Sequence, residues 1–148
     1  MKRLQAILVF IPILLVSCED DDSPHDKIPS IIVNEFKLTF PEAKDTDWNH
    51  KPKGYEVDFE KDKLDLTAFF TSKGEIKKIK YEISENDLPQ EVKTSISQTF
   101  QNKNIDDPER IEENGKIYYQ VQIEKFLMDE NVVLEKSGAI KSNIPYWD

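Results

Sequence analysis

Tyr55-Glu-Val-Asp-Phe-Glu60 and Tyr119-Gln-Val-Gln-Ile-Glu124 are the two stretches that decide the fold of this 148-residue chain. In both, apolar residues alternate with polar or charged ones, which predicts a β-strand with one buried face. Each stretch is followed by a second apolar stretch and then by a glycine turn, at Gly74 and at Gly138. The strand pattern therefore recurs along the chain, and such internal repetition predicts two related structural units.

An amphipathic helix precedes each of these strand patterns. Apolar residues recur every four positions just after Pro29 and again just after Pro89. Proline is favoured at the first helical position, and a spacing of four places the apolar side chains on one helix face. These side chains are Ile32, Phe36 and Phe40 in the first stretch and Val92, Ile96 and Phe100 in the second.

Three strands are predicted to follow each helix. They cover about 55–60, 64–70 and 79–83 in the first unit and about 117–123, 128–135 and, weakly, 139–144 in the second. The polar stretches 41–54 and 102–115 are interpreted as loops, the second of them mobile. Short hairpin connections favour antiparallel pairing. We therefore predict an α+β fold of two tandem helix-plus-three-strand repeats, residues 28–84 and 85–144, with the helices packed on one face of an antiparallel sheet.

Residues 1–17 resemble a lipoprotein signal peptide. Lys2 and Arg3 precede an apolar run at 6–16 that is too short to span a bilayer, and Leu15-Val16-Ser17-Cys18 resembles the bacterial lipobox. That resemblance implies cleavage before Cys18 and attachment of lipid to its sulfur. An ordinary signal peptide with a chance cysteine at the cleavage site is the alternative. Two or more acyl chains would hold the mature protein stably at a membrane.

An acidic stretch, Glu19-Asp20-Asp21-Asp22, follows Cys18 directly. It contains no apolar residue and cannot pack, so residues 18–27 are predicted to be a disordered tether that reaches about 30 Å when extended. We expect a cell-envelope protein anchored at the outer membrane. An acidic run after a lipidated cysteine also resembles surface-export signals, so the body is expected to face either the periplasm or the cell surface.

The folded body is predicted to cover residues 28–148. It ends in a short C-terminal tail that carries two aromatic residues, Tyr146 and Trp147. Large aromatic side chains favour burial. The tail is therefore expected to fold back onto the body, at a place that the pattern does not define.

Composition argues against several classes of function. The net charge of −9, from 29 acidic and 20 basic residues, repels phosphate backbones, so nucleic acid is not an expected partner. Cys18 is the only cysteine and cannot form an internal disulfide. The serines lack a nucleophile-elbow context, and the four glycines form no phosphate-binding loop. We predict a non-enzymatic protein with no catalytic residue and no cofactor.

One calcium-like pattern requires a separate interpretation. Asp45, Asp47, Asn49 and Glu56 have the spacing of ligands in a hand-type calcium loop, but His50 stands where that loop requires glycine. Glu56 is also expected in a strand. No metal site is predicted, although a divalent-ion or small-ligand sensing module near the membrane remains an alternative function.

The order of several spaced aromatic motifs resembles the PepSY-like, β-lactamase-inhibitor-like domains of secreted and lipid-anchored bacterial proteins. The motifs are Phe40-Pro41-Glu-Ala43, Trp48, Tyr55-Glu-Val-Asp-Phe59 and the turn at Gly74, and the resemblance covers about 28–142. It implies an α+β fold of tandem units and, by analogy, binding or inhibition of another protein. The second unit departs from the pattern, with Gln101 in place of the proline and Pro108 near the expected tryptophan.

A candidate binding face is predicted on the strand positions that point away from the helices. It comprises Glu56, Asp58, Glu60, Phe69, Lys78, Lys80, Tyr118 and Gln120. The inhibitors that give the family its name use an aromatic-rich concave sheet, whereas this face offers few aromatic hot spots, so the β-lactamase target is not expected to transfer. An open, charged face that binds an unknown protein or peptide is expected, and a sheet edge could also accept an added strand. A structural spacer is the remaining alternative.

Overall fold

A computed structural model describes residues 28–101 and 103–148 of the chain. The predicted signal peptide (1–17), the lipid-attachment residue Cys18 and the tether (18–27) lie outside these residues. Two α-helices and seven strands form the fold, with a short 3-10 turn at Glu85–Asp87 before the second helix. The elements are α1 (Ser30–Thr39), β1 (Lys44–Lys51), β2 (Gly54–Lys61), β3 (Leu64–Thr71), β4 (Ile76–Glu82), α2 (Gln90–Phe100), β5 (Ile105–Glu113), β6 (Lys116–Ile123) and β7 (Glu130–Glu135).

All seven strands belong to one antiparallel sheet, in which each strand pairs with its neighbours in sequence. Both helices pack against the same face of this sheet, as predicted. α1 buries Ile32 and Phe36 against β2 and β3, and α2 buries Val92 and Ile96 against β6 and β7. The alternating apolar residues of these strands supply the other side of the core. The α+β class and the antiparallel sheet are therefore confirmed.

The prediction of a loop at 41–54 is wrong, because β1 lies within it. β1 is an edge strand that pairs with β2 and has a register shift between Lys44 and Asp47. Trp48 is its only apolar residue, and its ring lies 5.3 Å from that of Phe36. A strand with one neighbour and only one partly buried apolar side chain shows no alternating pattern. The first unit therefore has four strands instead of three.

The prediction of a mobile loop at 102–115 is also wrong, because β5 runs through it between β4 and β6. Two of its carboxylates, Glu109 and Glu112, form ion pairs within the sheet. Lys80 Nζ lies 3.0 Å from Glu109, and Arg110 pairs with Glu112 while stacking 4.4 Å from the ring centre of Tyr81. The predicted strand at 139–144 is reduced to one bridge, between Leu134 and Ile140.

The helices start one residue later than predicted, so that Pro29 and Pro89 occupy the N-cap positions. Both helices are short. Over residues 28–101 and 103–148, no helix combines the length and the apolar character that crossing a bilayer would require.

Candidate binding face

The eight candidate residues all lie on the sheet face opposite the helices, which we call the far face. Residues that pair directly across antiparallel strands point to the same side. Glu56 pairs with Phe69, and Phe69 pairs with Lys78, so these three form a row across β2, β3 and β4. The strand register and the alternation along each strand place the other five candidates on the same face. These are Asp58, Glu60, Lys80, Tyr118 and Gln120.

The far face is not open, which corrects the prediction of an exposed charged surface. Residues 143–148, which we call the closing segment, lie across its middle. Trp147 is 8% exposed and packs with Ile111, Tyr118 and Val133. Beneath the segment, Gln120 is only 1% exposed. The expected docking of the two aromatics therefore takes place on the predicted binding face itself.

Gln120 holds the backbone of the closing segment. Its side-chain Nε2 donates a hydrogen bond to the carbonyl oxygen of Trp147 at 2.7 Å, and its Oε1 accepts one from the Trp147 backbone N–H at 3.1 Å. The second Nε2 hydrogen is directed at Glu109. A buried amide costs little when all its groups are paired. Gln120 thus binds both backbone groups of Trp147, much as a neighbouring strand would.

Glu56 and Lys78 hold the indole of Trp147. The indole N–H donates to Glu56 Oε2 at 2.9 Å, while Glu56 Oε1 lies 3.0 Å from Lys51 Nζ. Lys78 Nζ stands 3.7 Å from a ring centre of Trp147, which is a cation–π contact. Burial lowers the pKa of Lys78, and the carboxylates of Glu113 and Glu56 oppose that shift.

Lys80 and Glu109 complete the floor of the site. Lys80 Nζ lies 3.0 Å from Glu109 Oε1 and also donates to the Trp147 carbonyl oxygen at 3.4 Å. Their side chains are 14% and 9% exposed. A buried, paired charge adds little net stability, but leaving one partner alone is costly. Glu109 therefore holds the Lys80 ammonium group where it donates to the Trp147 carbonyl oxygen.

The family assignment follows from the sequence. A model of the family described as beta-lactamase-inhibitor-like, PepSY-like matches residues 14–78 and 55–142. The chain belongs to the PepSY-like family. The two matches overlap, so they do not coincide with the predicted repeat boundaries at 28–84 and 85–144. Among curated proteins, no sequence matches this chain.

Several solved structures share the fold of this PepSY-like protein. A protein from Bacteroides eggerthii described as periplasmic has a TM-score of 0.72 and 16% identity, over 76% of this chain and 85% of that chain. A DUF2874 family protein from Bacteroides uniformis has a TM-score of 0.71 and 14% identity, over 76% and 85%. A BLIP-like protein from Bacteroides fragilis has a TM-score of 0.71 and 19% identity, over 86% and 98%. At such identities the likeness shows the fold alone.

Six of the eight predicted face residues surround the closing segment of this PepSY-like protein, and two lie elsewhere on the same face. Asp58 accepts a hydrogen bond from Thr67 Oγ1 at 2.7 Å, and Glu60 lies opposite Asp65 near the end of β2. The six that surround Trp147 are Glu56, Phe69, Lys78, Lys80, Tyr118 and Gln120.

Sequence reasoning missed Glu109, Ile111 and Val133 as parts of the site. A signal for Val133 was available, because the uninterrupted apolar run Val132-Val133-Leu134 indicates a strand that is buried on both faces. Ile111 and Glu109 lie in the polar stretch that was interpreted as a loop. Nothing local in that stretch marks them as members of a site.

The calcium-like pattern does not form a binding loop. Asp47 and Asn49 lie within β1, paired with Asp58 and Glu56 of β2. Over residues 28–101 and 103–148, no group of three or more His, Cys, Asp or Glu side chains is placed to hold a metal ion.

The docked tyrosine should make stability depend on alkaline pH. Burial, assisted by the charge of Glu109, raises the pKa of Tyr146 above its usual value, so its contribution to stability is complete below the unfolded-state pKa of about 10 and is lost above it. We expect the free energy of unfolding to fall less for Tyr146→Phe than for the unsubstituted chain between about pH 9 and about pH 11.

Urea unfolding of both chains across that range measures this effect. Burial also raises the pKa of Tyr81 and lowers that of Lys78, but both groups are present in both chains and cancel in the difference. Parallel curves, separated only by a constant offset, would contradict the expected role of Tyr146.

Proposed function

We propose that this protein is a lipid-anchored, non-enzymatic binding protein of the cell envelope and that it holds a protein or peptide partner on the far face. The observation that carries the proposal is the closing segment. The far face binds it through the backbone of Trp147, at Gln120, and through its side chain, at Glu56 and Lys78. A surface with this chemistry is suited to holding a peptide.

The chemistry of the far face favours binding over catalysis. Gln120, Glu56 and Lys80 each have hydrogen-bond or ion-pair partners within the protein. Groups that are held this way position a ligand, whereas a general acid or base must exchange a proton with its substrate. A family described as beta-lactamase-inhibitor-like supports the same interpretation.

The proposed location is the outer membrane, to which lipid attached to Cys18 of the lipobox-like sequence would anchor the protein. A tether of residues 18–27 would let the folded body reach about 30 Å from the bilayer, on the periplasmic or the surface side. The description of one structural relative as periplasmic supports the envelope location. Mass analysis of the protein from cells should show acylated Cys18, and Cys18→Ala should release the chain from the membrane fraction.

Site-specific photocrosslinking in intact cells tests partner binding. A crosslinking amino acid at Asp58, on the far face outside the closing segment, should give a discrete adduct with an envelope protein. The same amino acid at Lys37, exposed on α1, serves as the matched control. Absence of an adduct at Asp58, or the same adduct from both positions, would contradict a far-face partner and favour a structural spacer.

A further inference from the structure

We infer that the partner of the far face presents an extended segment with a tryptophan, and that the closing segment occupies the same site until the partner's tryptophan displaces Trp147. This inference rests on the proposed function and names the chemical class of its ligand. Gln120, Glu56 and Lys78 would make the same contacts to the partner's residue that they make to Trp147.

The selectivity of the site comes from the indole. Within the closing segment Gln120 contacts only the backbone N–H and carbonyl of Trp147, which every residue except proline offers. Glu56, by contrast, is 6% exposed and accepts from the indole N–H, so a phenylalanine in the same place would leave that carboxylate oxygen without its donor. Lys78 lies over the ring face, and tryptophan is the aromatic side chain that binds a cation best. Donor and ring together specify tryptophan.

Residues of the far face also lose hydrogen-bond partners when Trp147 leaves. Gln120 would then lack the Trp147 carbonyl and N–H, and Glu56 would lack its indole donor, in surroundings that include Tyr118 and Phe69. Water would replace these partners and would also contact the aromatic rings that the closing segment had covered, which is unfavourable. The emptied site therefore favours a second segment that restores the same hydrogen bonds.

The closing segment is attached in a way that permits exchange. Most of its hydrogen bonds run to side chains, whereas β7 next to it is held by a continuous ladder to β6. Asn143 and Pro145 are exposed, and residues 143–148 adopt no regular secondary structure. Segments with few backbone hydrogen bonds to the body open at lower free energy than the strands beneath them.

Because the closing segment belongs to the same chain, it competes at a high effective concentration. Short tethers give effective concentrations in the millimolar range, so a free peptide binds the unsubstituted chain weakly even when the site suits it. Replacing Trp147 by alanine removes the indole contacts that hold the closing segment in the site. Affinity for a peptide added in solution should then increase.

A fluorescently labelled peptide with the sequence of residues 142–148, Ser-Asn-Ile-Pro-Tyr-Trp-Asp, is the probe. Binding is measured by fluorescence polarisation to the full chain and to its Trp147→Ala variant. We expect the Kd to be at least about tenfold lower for Trp147→Ala. A peptide with phenylalanine in place of tryptophan should bind that variant less tightly, because it lacks the N–H donor for Glu56.

Two further variants locate the peptide on the far face. In the Trp147→Ala background, Gln120→Ala should raise the Kd about tenfold and Lys78→Ala about threefold. Lys78→Ala removes the cation that lies over the indole ring and leaves Gln120 in place, so it provides a second test if Gln120→Ala fails to fold. Circular dichroism melting identifies the folded variants.

The inference is wrong if the full chain and Trp147→Ala bind the peptide with equal affinity. It is also wrong if neither Gln120→Ala nor Lys78→Ala changes the Kd of the peptide. A dimer formed by exchange of closing segments would also overturn it, because a second copy would then be the occupant. If a partner is crosslinked at Asp58 but the peptide binds equally well with phenylalanine in place of tryptophan, the inference fails and the proposed function stands. Peptide binding without any crosslinked partner would instead contradict the proposed function.

Discussion

Phe36→Ala is expected to lower the free energy of unfolding by about 3–5 kcal/mol. Phe36 is 5% exposed and joins α1 to the first half of the sheet. Its ring centre lies 5.0 Å from that of Phe59 and 5.3 Å from that of Trp48. Truncation removes these contacts and leaves a cavity that the surrounding aromatic side chains can fill only in part. Urea unfolding followed by circular dichroism measures the loss.

Leu38→Ala on the same helix is the matched control. Leu38 is 78% exposed, so its truncation should change stability by no more than about 0.5 kcal/mol. Both variants replace a large apolar residue by alanine in α1 and differ mainly in burial. Similar losses from the two would show that α1 does not pack on β2 and β3 through Phe36.

Gly138→Ala is expected to destabilise the protein by at least about 2 kcal/mol. Gly138 lies in the turn after β7 with φ of +83°, a conformation that side chains disfavour. A Cβ atom there would also stand 2.5 Å from the backbone carbonyl oxygen of Glu91, in the first turn of α2. The turn and α2 would have to move apart, and thermal unfolding should report the loss.

Gly115→Ala separates the two causes of this effect. Gly115 has a similar φ of +73°, but nothing lies within 4 Å of the position of its Cβ atom. Its substitution should therefore cost only the backbone strain, about 1 kcal/mol. Equal losses at Gly115 and Gly138 would contradict the close approach of α2 to the β7 turn.

The strands that could be predicted from the sequence are those with one apolar face. β2 and β6 alternate cleanly because Val57 and Val121 are fully buried under the helices while their neighbours point to the far face. β1 and β5 were not predicted, because neither strand shows this alternation. β1 has only Trp48 to pack against the core, and the ion pair that accommodates Glu109 of β5 is formed with Lys80, which is distant in sequence.

The position of the candidate face could be predicted from the sequence, but the binding of Trp147 on it could not. Alternation along a strand defines which residues share a face, and the eight candidates lie on the sheet face opposite the helices. The binding of Trp147 to Gln120 and Glu56 depends on how the chain returns after β7, which no local pattern encodes. Gln120, between Tyr119 and Val121, has the appearance of an ordinary polar strand residue.

The sequential order of the strands has a consequence for folding kinetics. Each strand pairs with its neighbour in sequence, so most pairs can form as local hairpins, and only the β4–β5 pair must close a long connection, the one that carries α2. The hydrogen bond from Trp147 to Glu56, by contrast, joins residues 91 positions apart. Loop-closure entropy disfavours such a contact early in folding, so we expect Trp147 to dock only after the seven strands have paired.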